Sequence, residues 1–85
     1  MSYRLSVIAP TGKVFEDEVD STIAPGEEGF LEVLSHHAPM VARLKAGPLT
    51  LRQNGQRREF AIGPGVIEVS ARHDVLLLTD SAKPQ

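Results

Sequence analysis

The side chains best suited to chemistry in this 85-residue sequence are three histidines and a run of acids. His36 and His37 are adjacent, and imidazole is a common metal ligand. Neighbouring residues of an extended chain point to opposite faces, so such a pair rarely shares one ion. His73 would have to supply a third ligand, and no pattern in the sequence places it near the other two. We therefore expect no metal site.

The acidic run Glu16-Asp17-Glu18-Asp20 offers oxygen ligands for a divalent cation. A calcium loop needs ligands at alternating positions, a central glycine and a closing glutamate. That spacing is absent here. The run is better interpreted as a solvated bend between strands, whose charges also discourage edge-to-edge pairing.

No other combination of residues predicts catalysis or nucleotide binding. The chain has no cysteine, which excludes thiol chemistry and cysteine-based zinc sites. It has no Gly-x-Ser-x-Gly elbow, and the glycine-bearing stretch at residues 25–29 is acidic and would repel phosphate. The net charge of −2 argues against a nucleic-acid partner. We expect a protein without catalytic residues or a cofactor.

Charge is divided unevenly along the chain. Residues 1–36 carry seven acids and two bases, whereas residues 37–85 carry seven bases and four acids. Either the two halves pack together and neutralise each other, or the domain presents two faces to two partners. No apolar run approaches the roughly 18 residues of a membrane helix, so direct membrane insertion is not expected.

The elements that position these residues are predicted to be strands. Turn signals recur every eight to twelve residues with short apolar runs between them, a spacing typical of an all-β sandwich or barrel. Asn54-Gly55 and His73-Asp74 predict hairpins. Residues 75–78 are all apolar and predict a central strand buried on both faces. Residues 39–45 are too few for a stable helix and are predicted to form a strand.

The segment from residue 26 to residue 47 has the most specific pattern. A glycine turn with two acids leads into an apolar strand, and the corner His37-Ala38-Pro39 then redirects the chain. Proline fixes its own φ and keeps the preceding residue extended, so the corner is rigid. His37 is interpreted either as a tie to the backbone or as a contact to a partner.

Taken in order, these elements resemble the ε subunit of F-type ATP synthases, the counterpart of the mitochondrial δ subunit. The similarity covers about residues 3–82. The matching elements are Tyr3-Arg4-Leu5-Ser6-Val7, Pro10-Thr11-Gly12-Lys13-Val14-Phe15, Glu28-Gly29, His37-Ala38-Pro39, and residues 44–47, 63–69 and 75–80. Two departures are Glu32, where glycine is frequent, and Ser35-His36 before the corner.

The resemblance implies a flattened antiparallel β-sandwich of about ten short strands, spanning residues 1–80, with residues 81–85 as a frayed end. It implies a non-catalytic rotor subunit of the central stalk, on the cytoplasmic face of the bacterial inner membrane. Such a subunit links the γ subunit to the membrane c-ring and couples proton flow to ATP synthesis. The first alternative is a stand-alone β-sandwich binding module. A small metalloenzyme that uses His36, His37 and His73 is a weaker one.

The resemblance also implies site residues. The predicted c-ring contact consists of Glu28, Gly29, Phe30 and Leu31. The predicted γ contact consists of His37, Ala38, Pro39 and Met40. Phe30 and Met40 have a second interpretation as ordinary core residues.

Members of the family usually continue into two C-terminal helices, which carry inhibition of hydrolysis and any binding of ATP. Only three residues follow Ala82 in this sequence. The expectation is a chain that supports assembly and coupling but neither inhibits hydrolysis nor binds ATP.

Overall fold

The computed structural model describes all 85 residues and consists of ten β-strands. The strands are β1 (Tyr3–Ala9), β2 (Gly12–Val19), β3 (Ser21–Gly26), β4 (Gly29–Leu34), β5 (Met40–Leu44), β6 (Gly47–Gln53), β7 (Gln56–Ile62), β8 (Gly65–Val69), β9 (Val75–Thr79) and β10 (Ala82–Pro84). None of the elements is a helix with the length and hydropathy needed to cross a bilayer. The expectation of an all-β fold is confirmed.

The strands form two layers that face each other. Sheet I has the order β10-β7-β6-β3-β4, and sheet II has the order β5-β8-β9-β1-β2. The two sheets are joined where Gly26 on β3 pairs with Leu44 on β5. All neighbouring strands are antiparallel except β1 and β9, which run parallel. The predicted ten-stranded sandwich is therefore confirmed, with one parallel pair inside it.

Alternation of apolar and polar residues produces the core. In β1, Tyr3, Leu5 and Val7 are buried, while Arg4 between them is exposed. A cluster of 16 buried apolar residues from both sheets fills the space between the layers. The two sheets also meet through an edge-to-face pair of aromatic rings, Phe15 and Phe60, with centroids 5.9 Å apart.

Both predicted hairpins are present. Asn54 and Gly55 have φ angles of 52° and 78° between β6 and β7, as a type I′ turn requires. Between β8 and β9, the Ser70 backbone N–H donates to the Asp74 carbonyl at 2.9 Å. Residues 40–44 form strand β5, so the strand prediction for this segment is also confirmed.

The expectation that residues 75–78 are buried on both faces is wrong. Val75 and Leu77 are buried, but Leu76 is half-buried and Leu78 is 42% exposed. Strand β9 is central within sheet II, but the outer face of that sheet carries no second layer. Because only the inner face of β9 is covered, the apolar side chains on its outer face remain at the surface.

Two further expectations differ from the structure. Glu16, Asp17 and Glu18 of the acidic run lie in edge strand β2, paired with β1, and only Asp20 lies in a bend. Residues 82–84 are not frayed, because they form β10 and pair with β7 from Ala82 opposite Ile62 to Pro84 opposite Phe60. A proline is tolerated there because β10 is the edge of sheet I.

Candidate functional site

The turn between β3 and β4 presents two free carboxylates. Glu27 and Glu28 form a two-residue connection between paired Gly26 and Gly29. A Cβ on Gly26 would lie 2.5 Å from the Gly29 carbonyl oxygen, and Gly29 has a φ of 129°, so both positions need glycine. Both glutamates are exposed, and neither forms an ion pair within the chain. A partner with basic or donor groups can therefore reach them.

Phe30 is the large apolar residue next to this turn. It is 63% exposed, so its interpretation as an ordinary core phenylalanine is wrong. Leu31 packs against the core instead, and it lines a depression of about 450 Å³ with Ala42 and Arg43. Of the four residues predicted to contact a c-ring, Glu28, Gly29 and Phe30 are exposed and Leu31 is partly buried. Contact with a ring stays a prediction.

The corner that follows β4 is tied to its own backbone. The His37 Nδ1 lies 2.7 Å from the Ala38 carbonyl oxygen, to which it donates in the Nδ1-protonated tautomer, and the His37 backbone N–H donates to the Leu34 carbonyl at 3.2 Å. Ala38 and Pro39 are exposed. Met40 is partly buried against the core, as its structural interpretation requires. Contact of this segment with a γ subunit also stays a prediction.

An exposed apolar surface on sheet II was missed by sequence reasoning. Val41, Val66, Leu76 and Leu78 line a shallow depression of about 220 Å³ on the outer face of sheet II, and we call these four residues the outer patch. Val41 is 70% exposed, and Val66 lies directly opposite Leu78 across the β8–β9 ladder. Contiguous exposed apolar patches on small proteins are often interaction sites. The signal in the sequence was the unbroken apolar run of β9, which was interpreted as burial on both faces.

Acids border the outer patch on one side. Glu68 lies between Val41 and Leu76 across the strands, and Glu16 and Asp74 line the adjoining depression. A hydrogen bond from Lys13, with others from Ser6 and Arg4, lowers the pKa of Glu16 to about 2. This carboxylate therefore stays charged through mildly acidic conditions. Glu16 is paired with Lys13 and Arg4, whereas Glu68 and Asp74 form no ion pair within the chain and suit a partner with basic side chains.

These surfaces show no arrangement of side chains suited to metal binding. No group of three or more His, Cys, Asp or Glu side chains is arranged to hold a metal ion. No buried side-chain nitrogen or oxygen lacks a hydrogen-bond partner. What the arrangement offers chemically is two accessible apolar anchors, each next to carboxylates.

The family model of the β-sandwich domain of the ATP synthase delta/epsilon chain matches residues 2–85. The chain belongs to this family. The ATP synthase epsilon chain of Desulforamulus reducens is 38% identical over 80 residues, which are 94% of this chain and 60% of that protein. That of Leptospira borgpetersenii is 41% identical over 76 residues, which are 89% of this chain and 59% of that protein. The chain thus spans about 60% of the length of the curated relatives it matches.

Solved structures show the same fold. A chain of the Euglena gracilis mitochondrial ATP synthase, in a structure of its OSCP, F1 and c-ring, superposes with a TM-score of 0.92 at 22% identity. The match covers 98% of this chain and 53% of that chain. A chain from the central stalk and c-ring of the Tetrahymena thermophila mitochondrial ATP synthase gives a TM-score of 0.82 at 15% identity, covering 96% and 66% respectively.

Proposed function

We propose that the chain is a non-catalytic subunit of the central stalk of an F-type proton-translocating ATP synthase, at the cytoplasmic face of a bacterial membrane. It links the γ subunit to the c-ring. Family membership and the names of the relatives support this role. The observation that carries it is the outer patch, an apolar surface that the chain's own residues leave uncovered.

The outer patch is the docking face for γ. Val41 follows directly on the predicted γ-contact segment, residues 37–40, so the chain leads from the exposed corner at Ala38 and Pro39 into the patch. Burial of exposed aliphatic side chains contributes about 25 cal/mol per Å² of apolar area. Glu68 and Asp74, which border the patch, select a γ surface that carries lysine or arginine next to its apolar residues.

The turn at Glu27 and Glu28, with Phe30 beside it, is the contact to the c-ring. Two unpaired carboxylates attract the polar or basic loops of a ring, and an exposed aromatic side chain provides an anchor that desolvates on contact. The ladder pair Gly26–Gly29 closes the turn and holds its shape, and both positions need glycine to adopt it. Little conformational entropy is then lost when the ring is bound.

Torque passes through this domain mechanically. The core between the two sheets is closely packed, and such interiors have low compressibility and transmit strain. Rotation of the ring at the β3–β4 turn is then delivered to γ at the outer face of sheet II. No chemical step takes place on the chain itself. No specific observation favours the alternative of a stand-alone binding module.

Titration of isolated γ with the chain tests the docking face. We expect a one-to-one complex at micromolar concentrations, and roughly tenfold or greater weakening by Leu78→Asp, because a carboxylate would be buried among apolar side chains. Ala61→Asp is the matched control. Ala61 is exposed on β7, on the outer face of sheet I and opposite Lys83.

Absence of any complex between γ and the wild-type chain would overturn the proposed function. Equal weakening by Leu78→Asp and Ala61→Asp would leave the subunit role in place but remove the outer patch as its docking face.

A further inference from the structure

Two histidines that are far apart in the sequence meet at one end of the sandwich. The rings of His36 and His73 have centroids 5.2 Å apart and planes inclined at 73°. His36 lies in the corner after β4, and His73 lies in the turn between β8 and β9. No pattern in the sequence predicts that His73 lies near the other histidines.

Both residues adopt a backbone conformation that side chains rarely occupy. The φ angle is 65° at His36 and 68° at His73. Residues held in such conformations cluster at functional sites, where the surrounding structure maintains them. Here this conformation places two imidazoles next to each other between two loops.

The orientation of His73 is set by a backbone hydrogen bond. Its Nδ1 lies 3.2 Å from the His37 carbonyl oxygen, which can only accept. Nδ1 therefore carries the proton, and the Nε2 lone pair is free. In metal-binding histidines, the ring nitrogen that does not bind the metal usually donates to a carbonyl or carboxylate. This hydrogen bond fixes both the tautomer and the orientation of the ring. The His36 ring makes no hydrogen bond within the chain and is exposed.

We propose that His36 and His73 bind a divalent transition-metal ion of the kind that prefers imidazole, with Zn²⁺ as the probe. Two imidazoles on one tetrahedral ion, with metal–nitrogen bonds of about 2.0 Å, have ring centres about 5 Å apart, which matches the observed spacing. Water supplies the remaining ligands, since no third ligating side chain joins the pair. The surrounding pocket contains the carboxylates of Glu18 and Asp74 as well as the cations Arg4 and Arg72.

The bound ion joins the β4–β5 corner to the β8–β9 turn. These two loops are otherwise connected through the His73–His37 hydrogen bond and the ring contact. Because the ion binds only the folded arrangement, it raises the stability of the sandwich in proportion to its concentration. This site is independent of the proposed role in a rotor.

The test uses the 85-residue chain without a histidine tag, titrated with Zn²⁺ at pH 7.5 by calorimetry and by NMR of the histidine ring resonances. We expect one ion per chain, shifts of the His36 and His73 resonances, no shift of His37, and a higher midpoint of thermal unfolding that EDTA reverses. Saturation at a different stoichiometry, or shifts confined to other residues, would overturn the proposal without the use of any variant.

Three variants localise the ion. His36→Asn and His73→Asn are each expected to weaken Zn²⁺ binding about tenfold or more, and asparagine is chosen because it tolerates positive φ. His37→Gln removes the third imidazole and serves as the control, with affinity expected to be unchanged. If His37→Gln weakens binding as much as the other two, or if neither asparagine variant weakens it, the pair is not the site.

Discussion

At the scale of single residues, Tyr3 connects the two sheets. Its hydroxyl lies 2.8 Å from the Val33 carbonyl oxygen on β4 and 2.7 Å from Thr22 Oγ1 on β3. A phenol has one proton, so it donates to the carbonyl while the threonine hydroxyl donates to it. Burial raises the pKa of Tyr3 to about 12. The hydrogen bond with Thr22 lowers this pKa, and the charges of Glu32 and Asp20 raise it by smaller amounts.

This raised pKa predicts a loss of stability in alkali. The unfolded chain releases the Tyr3 proton near pH 10 and the folded chain near pH 12. The stabilisation is therefore complete below pH 10 and lost as the pH rises towards 12, by roughly 2–3 kcal/mol. Tyr3 is the only tyrosine and tryptophan is absent, so tyrosinate absorbance reports this group alone.

Tyr3→Phe separates this effect from the ionisation of lysines. At pH 7 the variant is expected to lose about 1–3 kcal/mol of unfolding free energy, because the Val33 carbonyl and the Thr22 hydroxyl lose a buried partner. Between pH 10 and 12 its stability should fall less steeply than that of the wild type, as measured by urea unfolding. If Tyr3 in the folded wild-type chain titrates near pH 10, the raised pKa of Tyr3 is contradicted.

At the scale of elements, the β8–β9 ladder depends on one glycine. Gly65 pairs with both Leu44 and Thr79. A Cβ at this position would lie 2.9 Å from the Thr79 Cα and still closer to the Leu78 carbonyl oxygen. Both obstacles are backbone atoms of a paired strand, which cannot rotate out of the way.

Gly65→Ala is therefore expected to cost roughly 3 kcal/mol or more. Gly63→Ala is the control, because its Cβ would meet the rotatable Ser81 Oγ at 3.1 Å. Circular dichroism in increasing urea measures both, and a Gly65→Ala chain that is already unfolded in buffer agrees with the prediction. Equal urea midpoints for the two variants would show that the backbone of β9 can move to accommodate a Cβ at residue 65, and would contradict the prediction.

At the scale of the whole molecule, the two proposed interfaces lie on different parts of one rigid body. The β3–β4 turn closes one end of sheet I, whereas the outer patch covers one face of sheet II. A change at the turn should therefore affect contact with the ring while leaving γ binding intact. Glu28→Lys combined with Phe30→Ala tests this separation.

We expect this double variant to bind γ like the wild type but to reduce ATP-driven proton pumping in reconstituted complexes. Reversal of one charge and loss of the aromatic anchor remove the two attractive features of the turn. Asp17→Lys, a charge reversal at an exposed position on edge strand β2, is the control and should pump normally. Unchanged pumping by the double variant would remove the turn as the ring contact.

The strands and hairpins of this protein could be predicted from the sequence because their causes are local. Asn54-Gly55 turns the chain through the φ angles of its own two residues. The alternation in β1 marks an inner and an outer side without reference to any other strand. The turn at Glu27 and Glu28 was also predictable as exposed surface, since two adjacent unpaired carboxylates are costly to bury.

Only the tertiary structure decided which apolar residues remain exposed and which distant residues meet. In β9 the pattern records that Leu77 and Leu78 are both apolar, but whether each is covered depends on the presence of a layer on either side of sheet II. The parallel pairing of β1 with β9 and the contact of His36 with His73 join parts of the chain that share no local signal. Local patterns specify how a segment folds, whereas coverage and long-range contact depend on where the other segments lie.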